Sequence, residues 1–310
     1  VIAVKLKNSK TLLFALTLIV GIVFVALVSR NYLLDISTTN KAPMTEIIHK
    51  DSLSTVRFGV VSRYAPRRLF QGYQPMMDYL SEKTGYNFEL KISNSYDETV
   101  RQLVDGEVEF ASLGNYTYII SHSAFGVQCI AAPLNIDGEP NFHSAIVVRD
   151  DSRIKTMNDV AGKDIAFASE LSMSYWMSQY LLKNAGVTTL GKTAHFDHHE
   201  EVVQRVLRGE FDVGSVKDVV AESYIDQGLR IIELSPKIPA VPIAVARSAN
   251  RELVDLVVKA LLEISPGSTR GWDKEFSHGF AKVDDSDYDS MREILNALGH
   301  NPASWNEVTE

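Results

Sequence analysis

At 310 residues the chain is long enough for one large or two modest domains, each with a full hydrophobic core. Its net charge of −8 excludes the basic field that recognition of a nucleic-acid backbone requires. A single cysteine, Cys129, excludes an intramolecular disulfide framework and a cysteine-cluster zinc site, and its apolar neighbours mark an ordinary buried thiol.

Residues 12–28 are almost uninterrupted Leu, Ile, Val, Phe and Ala, broken only by Thr17 and Gly21, a length that just spans a bilayer. Lys5, Lys7 and Lys10 precede the run and Arg30 alone follows closely. The positive-inside rule therefore makes residues 1–30 a cytoplasmic stub and transmembrane anchor, with everything after them extracytoplasmic. A cleaved signal peptide is the competing reading. The apolar region is long for one, Ala26-Leu-Val-Ser-Arg30 offers no good small-x-small cleavage site, and no cysteine follows for lipidation. Thr17 and Gly21 lie one helical turn apart, a spacing compatible with close packing against another membrane helix. Residues 31–54, mixed and polar without periodicity, read as a linker.

Folding proper is expected from Val56. Strand-like runs at 56–61, 88–92, 108–112 and 128–132 alternate with helical spacing over 67–83, 96–104 and 116–123, the pattern of a parallel sheet with helices on its faces. After a strand at 142–149 the alternation begins afresh: strands at 163–168, 193–196, 211–215 and 230–233, and helices from Ser172, over 198–208 and over 217–227. In the Ser172 helix Met173, Met177, Tyr180 and Leu181 recur at three and four before Gly186 supplies a stop. The run 239–247 repeats the pattern of a strand crossing between lobes, and helices over 251–264 and 288–298 would return the chain to the first lobe. The fold class is thus α/β with two lobes, residues 55–141 with 243–310 forming one and 142–242 the other. The acidic run 284–289 reads as a solvated helix start favoured by the macrodipole.

Ligands of open α/β sheets bind beyond the carboxyl ends of the strands. Five segments fall there: Ser62 to Tyr64, Ser93 to Tyr96, Leu113 to Tyr116, Ser169 to Ser174 and His195 to Glu200. Orphan N–H groups at a helix starting beside Ser172, with the hydroxyls of Ser169, Ser172 and Ser174, suit a small oxyanion, although Ser172 equally well caps its own helix. Tyr64, Tyr96, Asn115, Tyr116 and Tyr175 are further candidates for the cleft wall, and Arg63, Arg67 and Arg68 either line its mouth or form a solvated face.

His195, His198 and His199 beside Asp197 and Glu200 invite a metal site, but the break between strand and helix separates His195 from His199, and Asp197 reads as a helix cap. A hydrolase with Ser172 or Ser174 as nucleophile and His199 as base lacks a nucleophile elbow and a third member. Neither a metal, another cofactor nor enzymatic activity is expected.

Four features together carry a family resemblance: Phe110-Ala-Ser-Leu-Gly-Asn115; Ser172-Met-Ser174 after an apolar strand; His199-Glu200 followed by Val206-Leu-Arg-Gly-Glu-Phe-Asp212; and Ser235-Pro-Lys-Ile-Pro239 with Pro242-Ile243. With them the chain resembles the phosphonate/phosphite branch of the type II periplasmic solute-binding proteins, within the transferrin-like group, from about Val56 to Asn301. The resemblance implies two Rossmann-like lobes joined by crossover strands. It also implies that Ser172, Ser174, Tyr96 and His199 hold the oxygens of a phosphonate. Met173 stands where the family has threonine, Leu113 where a second tyrosine is expected and Tyr175 where a glycine is usual. Val219 and Val241 occupy the places of two acidic residues that recognise an aminoalkyl group, with Asp218 adjacent to the first. These departures make the expected pocket more apolar.

The expected function is a membrane-anchored, extracytoplasmic solute-binding protein that takes a phosphonate-, phosphite- or phosphate-like anion for an ABC importer. The alternative is a non-transport subunit or sensor that keeps the fold and docks on an integral membrane complex. Expected partners are accordingly the small anion, importer subunits or that complex, and the bilayer through residues 12–28, but no nucleic acid.

Overall fold

The computed structural model describes residues 54–269, 272 and 274–300. The expected membrane span at 12–28, the linker up to residue 53 and the last ten residues lie outside them. Among the described residues no helix is long and apolar enough to cross a membrane.

β1 (Thr55–Val60) leads through Val61 to Tyr64 into α1 (Pro66–Thr84), which starts on a proline whose missing N–H would in any case be unpaired there. Leu69, Tyr73, Met76, Met77 and Leu80 form its buried stripe, and Gly85, in the left-handed region at φ 75°, ends it by donating to Ser81 O. β2 (Asn87–Ile92), α2 (Tyr96–Val104), β3 (Phe110–Ser112), α3 (Asn115–Phe125) and β4 (Gln128–Pro133) follow. Next come β5 (Asn141–Phe142), β6 (Ser144–Arg149), β7 (Ile165–Ala168), α4 (Met173–Asn184), β8 (Thr193–Phe196), α5 (His199–Leu207), β9 (Val213–Lys217) and α6 (Asp218–Glu222). β10 (Leu229–Leu234), β11 (Ile238–Pro239), β12 (Ile243–Val245), α7 (Arg251–Leu262), β13 (Phe280–Ala281) and α8 (Asp289–Ala297) complete the described chain.

The strands form a six-stranded sheet ordered β13-β4-β12-β3-β1-β2, a five-stranded sheet ordered β10-β6-β9-β7-β8, and a two-stranded ribbon of β5 and β11. Neither large sheet is wholly parallel, contrary to expectation. β1 runs parallel to β2 and β3, but β12 is antiparallel to β3 and β4. β7 runs parallel to β8 and β9, but β6 is antiparallel to β9 and β10. β6 and β12 are the strands on which the chain passes from one sheet to the other, so each enters its new sheet from the opposite end; the short edge strand β13 is also antiparallel to its neighbour β4.

Two runs read as single strands are broken, each for a local reason. Between β5 and β6 the His143 N–H leaves the ladder to donate to Asp218 Oδ2 (2.7 Å). Between β11 and β12, Pro239 and Pro242 lack the N–H that a continuous ladder needs. The helix expected over 217–227 divides into α6 and a separate 3-10 turn, Ile225–Gln227, ending on Gly228. α5 is flanked by His198, not by an Asp197 side-chain cap, whereas the acidic run is the expected helix start: Asp284 and Asp287 exchange a capping box ahead of α8.

α5 lies close against the second sheet because β9 has no side chain at Gly214. A Cβ there would meet Val206 Cγ2 at 2.9 Å, Val202 Cγ1 at 3.0 Å and Val147 Cγ2 at 3.1 Å. Gly214→Ala is therefore expected to push α5 outward and to cost about 1–3 kcal/mol. A lowered midpoint of urea unfolding checks this, and an unchanged midpoint would show that the valines give way freely.

Candidate ligand-binding site

Between the two large sheets, strand ends bring an arginine, a lysine and a carboxylate together. β1 hands over to Arg63, whose side chain turns inward and is only 3% exposed. Its guanidinium donates to Tyr73 Oη (2.5 Å), to Ser112 Oγ at the end of β3 (3.4 Å) and to Glu275 Oε2 (3.3 Å). From the other sheet Lys217, the last residue of β9, donates to Glu275 Oε1. Glu275 itself comes from a single 3-10 turn, Lys274–Phe276, between α7 and β13. Its burial disfavours ionisation, but the Arg63 and Lys217 charges outweigh that and hold the carboxyl down at about 2. Burial likewise works against charge on Arg63, and the Glu275 carboxylate overcomes it, raising the guanidinium well above its ordinary value.

α4 presents its start to the same place. Ser172 has extended backbone at φ −95°, ψ 135°, and its hydroxyl accepts from the Ser174 N–H at 3.3 Å, the N-cap geometry expected of it. Tyr96, the first residue of α2, reaches across to a hydrogen bond with Ser172, and burial pushes its hydroxyl up to about 12. His199, the first residue of α5, donates its backbone N–H to Arg63 O (3.3 Å). Burial, with Lys217 and Arg63 adding to it, lowers its imidazole to about 3, so the ring is neutral near pH 7. Its Nδ1 and Arg63 Nε are buried without a hydrogen-bond partner among the described residues.

Arg63, Lys217, Tyr96, Ser172 and His199 border a chamber of about 20 Å³, with Glu275 outside its lining, a space little more than one water needs. Tyr96, Asn115, Ser172, Met173, Ser174 and His199 line it, as the sequence reading groups them, and Val241 and Phe142 give it an apolar side. Met173 is 2% exposed and faces the chamber in place of a hydroxyl donor. Asn115 donates to Pro239 O, tying α3 to the crossing between sheets.

The other sequence candidates lie outside this lining. Tyr64 is buried with Arg68 Cζ 4.0 Å above its ring. Tyr116 Oη lies 2.6 Å from His300 Nε2, and its ring packs on Trp176. Tyr175 packs edge-on to Phe167 and His195. Ser169 Oγ accepts from Leu171 N–H (3.2 Å), stabilising the turn before α4. Leu113 is core, with its N–H on Pro242 O. Val219 lines a separate cavity of about 440 Å³ that shares Phe142 and Lys217 with the chamber.

Three arginines read as one group are in fact distinct: Arg63 is buried at the centre, Arg67 is exposed, and Arg68 pairs with Glu200 at 2.5 Å. His195 stacks on Phe167, and His198 Nδ1 donates to Ser62 O (2.9 Å). No group of three or more metal-ligating residues is found among the described residues. Lys217 and Glu275 were not legible as site residues. Lys217 sits at a strand end that reads as a helix start, and Glu275 is 212 positions from Arg63 with no local motif.

The neutral buried His199 makes stability depend on pH. The unfolded chain takes up a proton near the ordinary value of about 6.5, whereas the folded chain resists it to about 3. The stabilisation is complete above that ordinary value and is lost as pH falls towards 3, by up to about 1.4 kcal/mol per pH unit. His199→Gln is expected to flatten this part of a urea-midpoint profile against pH. An unchanged slope would contradict a buried neutral imidazole.

The sequence matches the family described as ABC transporter, phosphonate, periplasmic substrate-binding protein, over residues 58–288. Among curated proteins the phosphonates-binding periplasmic protein of Escherichia coli (strain K12) is 21% identical over 218 residues, 65% of this chain; the chain spans only 64% of that relative's length. PhnD1 from Prochlorococcus marinus (MIT 9301), solved in complex with methylphosphonate, superposes with a TM-score of 0.72 at 16% identity, covering 80% of this chain and 99% of that one. A binding-protein component of an ABC phosphonate transporter from Pseudomonas aeruginosa gives 0.69 at 19% identity, covering 78% and 86%. At such identities the structural likeness concerns the fold, which is the two-lobed binding-protein fold. The family consists of substrate-binding components of transporters, not enzymes, and on the extent of the sequence match this chain belongs to it.

Proposed function

We propose that the chain is an extracytoplasmic solute-binding protein that takes a small oxyanion, phosphonate-, phosphite- or phosphate-like, between its lobes for an ABC importer. The observation that carries this reading is the meeting of two buried cations, Arg63 and Lys217, with the α4 start and His199 between the sheets. Arg63 and Lys217 would supply charge, and Ser172, Ser174, Tyr96 and the His199 ring would supply hydrogen bonds to the remaining oxygens. Residues 55–141 with 243–310 would form one jaw and 142–242 the other, opening about the β5–β11 ribbon. The run 12–28 would hold the protein in the inner membrane, N-terminus in the cytoplasm and lobes in the periplasm.

One observation favours the second reading, a subunit or sensor that keeps this fold and docks on an integral membrane complex. The chamber of about 20 Å³ is too small for a phosphonate head, and Met173 occupies part of its wall.

Thermal unfolding of the full chain in mild detergent, against phosphonates, phosphite, phosphate, sulfonates and small carboxylates, decides between them. Saturation at a hundred times the dissociation constant stabilises by about 2.7 kcal/mol. The receptor reading predicts a shift that Ser174→Ala and His199→Ala both abolish. No shift with any anion, together with recovery of the chain from membranes in a complex lacking importer subunits, would move the assignment to the docking subunit.

A further inference from the structure

We propose that Glu275 is a built-in competitor for the ligand: its carboxylate occupies the cation pair that an incoming oxyanion would need, so a ligand binds only by displacing it. The inference rests on reading the chamber as the anion site. Its own support is the position of the carboxylate. One oxygen faces Arg63 from the first sheet at 3.3 Å, the other faces Lys217 from the second, and the side chain is 5% exposed. A two-oxygen anion gripped from both lobes is what a bound solute would present, and here the chain supplies it from its own turn. The two sheets also meet through contacts of their own beside the carboxylate: His199 N–H reaches Arg63 O, His198 reaches Ser62 O, and Arg68 pairs with Glu200.

Two features show that the carboxylate does not use the site fully. His199 Nδ1 and Arg63 Nε, on residues that line the chamber, are buried and have no hydrogen-bond partner among the described residues, although buried polar atoms are ordinarily satisfied. A tetrahedral oxyanion has more acceptor oxygens than a carboxylate and could accept from Arg63 Nε as well as its terminal nitrogens. His199 Nδ1 would meet a further oxygen when the tautomer places its proton there. Glu275 and Lys217 also form part of the wall of the neighbouring cavity of about 440 Å³, so a displaced carboxylate has somewhere to go and a ligand's organic tail has room to follow. The ligand class this selects is a small anion with at least two acceptor oxygens and a tolerance for an uncharged tail. A tethered competitor acts at a high effective concentration, set by its short linkage, and so weakens binding without any contact to the ligand.

The test uses the full chain, with Glu275→Gln, which keeps the volume and removes the charge, and Glu275→Ala, which also clears the space. Folding is checked by circular dichroism, and binding of formate, inorganic phosphate and methylphosphonate by calorimetry. Methylphosphonate is expected to bind at least one variant tenfold or more tightly than the native chain, and formate to stabilise Glu275→Ala by filling the vacated position. Affinity for methylphosphonate equal, within a factor of two, in native chain and variants overturns the proposal and leaves the receptor reading intact. Rescue by formate without any response to methylphosphonate or phosphate marks Glu275 as a purely structural carboxylate; it overturns the competitor and counts against the receptor. Variants that fold and bind none of the three, or that stay unfolded and are not refolded by formate or methylphosphonate, overturn it.

Discussion

The arrangement of the lobes depends on one buried charge cluster, Arg63 and Lys217 on either side of the Glu275 carboxylate. Desolvating three charges is costly, and the mutual attraction offsets this with help from the further hydrogen bonds that Arg63 donates to Tyr73 and Ser112. Arg63 is held by Tyr73 of α1 and Ser112 of β3, which are themselves joined at 2.9 Å, so the guanidinium is fixed within the first sheet and its helix independently of Glu275. Removing the Glu275 carboxylate leaves two buried cations uncompensated, which makes the cluster far harder to break there than its net contribution to stability suggests. It also imposes a position: the ends of β1 and β9 must lie on opposite sides of one carboxylate.

Around that constraint the neighbouring groups take their properties. His199 stays neutral because it is buried beside two cations, and Tyr96 stays protonated because it is buried at the start of α2. The close seat of α5 on Gly214 brings His199 to Arg63, and the Ser172 cap fixes where α4 begins. As it stands, the two cations of the cluster are paired with Glu275 and the free space beside them is about that of a water.

Much of the fold was legible because it follows local rules. The spacing of Met173 and Met177 in α4, the stop at Gly186, the cap at Ser172 and the acidic helix start over 284–289 are each decided within a few residues. The reversal of β6 and β12 was not legible, because strand direction is set by how the chain passes between sheets and leaves no periodic trace. The breaks at His143 and at Pro239 to Pro242 show the two intermediate cases. The prolines were visible but read as part of an apolar strand, while the Asp218 contact joins positions far apart. The site divides the same way. Ser172, Met173, Ser174, Tyr96, Asn115 and His199 sit at strand ends and helix starts, where a ligand-binding role is readable. Arg63 was visible but not separable from Arg67 and Arg68, as cleft mouth or as solvated face, and Lys217 and Glu275 acquire meaning only through pairing across the fold. Tyr64, Tyr116 and Tyr175 lie near the expected segments yet pack elsewhere, because strand-end position does not fix which way a ring turns.

The most direct measurement is a double-mutant cycle on unfolding free energy with Arg63→Gln, Glu275→Gln and the pair. A buried, directly bonded pair predicts that each single change destabilises strongly and that the double change costs well below their sum, leaving a coupling of about 1–3 kcal/mol. Additive losses, with coupling within about 0.5 kcal/mol of zero, would mean that the two side chains do not meet, and that the lobes are held together by something other than this carboxylate.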